Sequence, residues 1–93
     1  MVQKSAGSMK DEYIQQMIKN LPILRISVKF TQAQLGKKVG VSRQTIVAIE
    51  NGKRPLPWSL YLAMVLVFMQ NEDSKKLMES FDLFDSDFIK LIP

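Results

Sequence analysis

The 93-residue sequence contains no cysteine and no histidine. Without cysteine there is no disulfide framework, and that usage fits an intracellular, cytoplasmic setting. Without either residue type, zinc sites built on thiolate or imidazole are excluded, as are Ser-His and Cys-His nucleophilic systems. A glycine-rich phosphate loop is also missing, so no enzyme, cofactor or metal site is expected. Long apolar runs are absent too. The longest, Leu60 to Met69, covers ten residues, well short of the roughly 18 that a membrane span needs. The opening MVQKSAGS has no apolar leader segment, and residues 1–9 read as a flexible N-terminal tail.

What is present suffices for one small domain. Hydrophobic residues make up 46% of the chain, enough to close a core without staples. The net charge of +4 is unevenly spread. Between Lys19 and Arg54 lie eight basic residues and a single acid, Glu50, whereas Asn71 to Pro93 holds three lysines and six acids. A basic middle with an acidic end suggests a surface that faces a polyanion and a separate tail turned to solvent or to a partner.

The apolar spacing predicts an all-α, compact bundle of about five helices. In the first, Tyr13, Ile14, Met17, Ile18 and Leu21 recur at helical intervals. Pro22 removes a backbone donor and biases Leu21 away from helix, so either a kink or two abutting helices is expected, with Asn20 capping the second. Thr31 followed by Gln34 is a capping-box pattern that starts the next helix, Leu35 and Val39 supply its inner face, and Gly40 is a left-handed stop. Ser42 then caps a helix running to about Asn51. Two short helices joined by a tight turn form a helix-turn-helix unit. Gly36, in mid-helix, costs about 1 kcal/mol relative to Ala, which implies close approach of the second helix. Trp58 to about Gln70, apolar all round, reads as a buried helix. EDSKKLMESFDLF predicts a last helix with Leu77, Phe81 and Phe84 inward, followed by an apolar tail. The divisions are thus the tail 1–9, a helix-turn-helix domain over 10–70, and a C-terminal helix and tail over 71–93.

The helix at Arg43 has an unusual outer face. Ser42, Thr45, Ile46 and Ile49 share one side. Arg43, Gln44, Val47, Ala48 and Asn51 share the other, with no carboxylate among them. Leu24-Arg25, then TQAQLG at Thr31–Gly36, VGVSRQTI and IENGKR together resemble the Cro/repressor-type, lambda-repressor-like helix-turn-helix family over Ile18 to Phe68. Departures are Pro22, Gly36 where Ala is usual, and PLPW ahead of the fourth helix.

The resemblance implies a bacterial-type regulator, a repressor acting as a homodimer on a double-stranded DNA operator; the short apolar runs imply no membrane association, and the helices leave no room for a small-molecule effector module. Its recognition helix would enter the major groove. Arg43 can pair with guanine, Gln44 with adenine, and Val47 and Ala48 can meet thymine methyls. Ser42, Asn51, Lys53 and Arg54 would contact phosphate, as would Gln32 beside the free N–H groups of a helix start. The family pattern pairs Glu50 with Arg25 as a structural salt bridge. Lys37 and Lys38 read as a solvated face, and Lys29 as long-range attraction. The surplus apolar residues, including Phe81, Phe84, Phe88, Ile89, Leu91 and Ile92, suggest dimerisation through the fourth helix and residues 71–93. A protein-interaction module, an antitoxin or a restriction-modification controller would use the same fold.

Overall fold

The computed structural model describes residues 5–92. Among these are six helices and no strand, in the order α1 (Ala6–Ser27), α2 (Gln32–Val39), α3 (Arg43–Glu50), α4 (Trp58–Phe68), α5 (Glu72–Ser80) and α6 (Ser86–Ile89). The sixth is a single turn within the stretch expected to be an irregular tail. Among the described residues no helix is long and apolar enough to cross a membrane.

α1 departs from expectation at its start, and of the two arrangements expected at Pro22 it excludes the two abutting helices. Ser5 caps it, its hydroxyl accepting from the Ser8 N–H at 3.1 Å, so Ala6 to Met9 are helical rather than part of a flexible tail. Residues 1–4 lie outside the described residues. The helix runs through Pro22 as one element. Asn20 caps nothing; its amide donates to the Gln16 carbonyl at 2.9 Å. The reason is burial. Met17, Leu21 and Leu24 flank the proline and are fully enclosed, so breaking the helix there would forfeit apolar contacts at about 25 cal/mol per Å². That loss outweighs the one backbone bond the ring removes. α1 ends in a Schellman turn: the Lys29 N–H reaches Ile26 O at 2.9 Å and the Phe30 N–H reaches Arg25 O at 3.0 Å. Lys29 holds the left-handed position, φ 61°.

α2 carries the expected capping box between Thr31 and Gln34, and Gly40 stops it at φ 83°. Ser42 caps α3, its hydroxyl accepting from the Thr45 N–H at 3.1 Å. The glycine in mid-α2 has the predicted cause. A Cβ built on Gly36 would lie 2.7 Å from the Val41 carbonyl oxygen and 3.2 Å from that of Ser42. The turn that launches α3 rests directly on α2.

α4 supplies the centre of the core through Leu60, Tyr61, Met64, Val65 and Phe68. It is not buried all round, because Leu66 is 69% exposed. α5 turns Met78 and Ser74 fully inward, while Leu77, Phe81 and Phe84 are half-buried at its edge. The Ser74 hydroxyl donates to the Phe68 carbonyl, which fastens α5 to the end of α4. The C-terminal residues fold back. Phe88 is fully buried, edge-on to Tyr13 at 5.6 Å and beside Trp58, which stacks on Tyr61 at 4.8 Å. The Tyr61 hydroxyl donates to Leu83 O at 2.7 Å, and burial pushes its phenol well above the ordinary range.

Candidate nucleic-acid interface

The short helix α3 is anchored by Ile46 and Ile49, both fully buried. Its period then decides what remains outside. Arg43 and Gln44 are exposed in its first turn, and Val47 and Ala48 are half-exposed behind them. At the far end Asn51 is exposed, Gly52 adopts φ 70°, and a second Schellman turn forms, Gly52 N–H to Ile49 O at 3.0 Å and Lys53 N–H to Ala48 O at 2.9 Å. That reversal leaves Lys53 and Arg54 in solvent.

The one acid of the basic segment is withdrawn from this surface. Glu50 accepts from Arg25 in a two-point contact, Nε to Oε2 at 2.8 Å and Nη2 to Oε1 at 3.1 Å. The side chains are 14% and 6% exposed respectively. The Arg25 Nη1 also donates to Phe30 O at 3.0 Å, so one guanidinium ties the end of α1 to the start of α2 and the end of α3. The planar fork suits this bidentate geometry. Gln32 joins the same cluster. Its amide nitrogen donates to Glu50 Oε1 at 3.3 Å, so this side chain is drawn toward Glu50 rather than standing free in solvent. An amide nitrogen carries two N–H groups, and the second is not used by that bond.

Two placements differ from the sequence pattern. Arg54 does not extend beyond the far end of α3. Its Nη1 returns to the Thr45 hydroxyl, 3.4 Å away in the first turn, and that hydroxyl is 2.9 Å from the Ser42 hydroxyl. Thr45 is therefore part of the polar edge, although its position on the helical wheel groups it with the anchoring isoleucines. The available signal was chemical: a hydroxyl three residues after a serine cap, on a helix whose following loop carries two cations. Lys37 and Lys38 stand exposed on α2, with Lys38 over the Phe30 ring at 5.9 Å.

The electrostatic contrast with the rest of the molecule is sharp. An open cleft of about 980 Å³ lies between the first half of α1 and the region around α6, and Asp11, Glu12, Asp82, Asp85 and Asp87 line it. None of the residues expected to touch DNA lines it. Five carboxylates repel phosphate, whereas the exposed cations at α2, α3 and the loop after α3 attract it. That surface offers cations, an amide and small apolar groups, the chemical types that pair with phosphates and base edges.

Residues 23–57 match a family model described as helix-turn-helix. No curated protein and no solved structure matches the chain.

Proposed function

We propose, for a chain whose residues 23–57 belong to the Cro/repressor-type helix-turn-helix family of DNA-binding regulators, that it is a cytoplasmic transcriptional repressor reading double-stranded DNA through α3. The observation that carries this reading is the outer face of α3. Arg43, Gln44, Val47 and Ala48 are all accessible, and the neighbouring acid, Glu50, is consumed by Arg25. Arg43 and Gln44 sit in the first turn, the part of a recognition helix that reaches deepest into the major groove. Ser42, Asn51, Lys53 and Arg54 border that face and hold the backbone, as does Gln32 with its remaining N–H.

An eight-residue helix reads few base pairs, so the reading includes a homodimer on two half-sites about 34 Å apart. The molecule measures 42 × 29 × 22 Å, a width that lets two copies lie side by side at that spacing. Leu66 on α4, with Ile89 and Ile92 near the C-terminus, supplies exposed apolar surface for the contact. Occupation of the operator then represses by exclusion.

Selection of bound duplexes from random DNA tests the assignment. Arg43→Ala and Gln44→Ala are each expected to lose preference at particular base positions, at about 1–3 kcal/mol per contact. Lys53→Ala is expected to weaken all sequences alike. Equal behaviour of the two kinds of variant would show that α3 is not the reading element.

A further inference from the structure

Arg54 presents a question that the phosphate-clamp reading leaves open, because its guanidinium lies beside the first turn of α3 and not past its end. The loop after α3 reverses at Gly52, φ 70°, and the Arg54 side chain then runs back along the helix to Thr45. The Thr45 hydroxyl accepts from Arg54 Nη1 and is in contact with Ser42 Oγ. Ser42 Oγ in turn accepts the Thr45 backbone N–H. The three side chains make a continuous polar chain from the loop cation to the helix cap.

We propose that Thr45 is a positioning residue which holds Arg54 against the groove wall flanking the start of α3, where the guanidinium grips a phosphate. The assignment to phosphate follows from the wheel. Thr45 lies about 100° around the helix from Gln44, on the side away from Arg43 and Val47. A group tethered there faces the wall of the groove and not its floor. Arg43 then reads from one edge of that face and Arg54 lies beyond the other, and the bidentate guanidinium suits a phosphate on the wall. The tether matters because a free Arg on an exposed loop samples many rotamers, and fixing it beforehand lowers the entropy lost on binding. The group that tethers is the hydroxyl, which accepts from Arg54 Nη1.

The inference rests on the proposed DNA binding, and the experiment separates the two. Affinity for a duplex of random sequence is measured across a salt series for the wild type, Thr45→Val, Thr45→Ser, Arg54→Ala and the Thr45→Val/Arg54→Ala double variant. Arg54→Ala is expected to reduce the slope of log affinity against log salt by about 0.9, one phosphate contact. Thr45→Val is expected to weaken binding about threefold, the scale of one exposed hydrogen bond. It should cause no further loss once Arg54 is absent, and Thr45→Ser should restore wild-type affinity. Additive losses, or a Thr45→Ser variant as weak as Thr45→Val, would mean that Thr45 only supports the helix. An Arg54→Ala variant with an unchanged salt slope would overturn the phosphate contact. Failure of the wild type to bind at low salt would overturn the DNA reading itself, and this inference with it.

Discussion

Glu50 shows how a family resemblance can imply one residue's partner while the rest of its surroundings stay hidden. A lone acid in a basic segment needs a partner, and the helix-turn-helix resemblance implies Arg25. The structure adds that the carboxylate also takes the Gln32 amide and that the same Arg25 secures Phe30 O. Glu50→Ala would leave the mostly enclosed Arg25 guanidinium without its counter-charge. The expected cost is about 3 kcal/mol, the lower end for breaking a buried pair because Arg25 keeps some solvent. Thermal unfolding checks it, and an unchanged midpoint would show the bridge to be dispensable. Thr45 is the opposite case. Its periodicity assigns it to the buried side, and only the return of Arg54 through space reveals its hydroxyl as a polar contact.

The elements show where local rules suffice and where packing overrides them. Capping at Thr31 and Ser42 and the stop at Gly40 are local signals, and α2 and α3 begin and end accordingly. Gly36 joins the two. By propensity alone Gly36→Ala should stabilise α2 by about 1 kcal/mol. The structure reverses that sign, because the added Cβ would meet the Val41 carbonyl at 2.7 Å, and backbone cannot yield as a side-chain tip does. A net loss of about 1–3 kcal/mol is expected, together with weaker DNA binding as α3 is pushed from its seat. Denaturant unfolding and a binding titration on the same variant measure the two effects, and a stabilised variant with full affinity would contradict the packing argument. Pro22 is the case that local rules leave open. They allow a kink or a break, and the burial of Leu21 and Leu24 excludes the break and keeps α1 one element.

At the scale of the whole molecule, the chain separates the exposed cations of α2, α3 and the loop after α3 from an acidic cleft between α1 and α6. The C-terminal segment does two things where the apolar pattern suggests one. Phe88 completes the monomer's own aromatic core, whereas Ile89 and Ile92, 53% and 44% exposed, remain outside with Leu66. The pool of apolar residues for a dimer is therefore smaller than the composition implies. Leu66→Glu changes a side chain with little to lose from its own fold, so the helix content should hold while the thermal midpoint falls only by the stability that association adds. Sedimentation is expected to shift from dimer to monomer, with a loss of operator affinity. A wild type that stays monomeric at high micromolar concentration would remove the dimer from the reading.

By itself the sequence determined the helical class, the α2-turn-α3 unit and the carboxylate-free composition of the outer face of α3. These depend on local capping and on a 3.6-residue period, which neighbouring residues carry between them. It also excluded thiolate and imidazole chemistry by composition. Tertiary structure alone decided that α1 passes unbroken through Pro22, that Phe88 serves the monomer's core, and that Arg54 returns to Thr45. Each of these depends on contacts between residues far apart in the chain or on opposite sides of a turn. Their energies come from burial and three-dimensional approach, which no local spacing encodes.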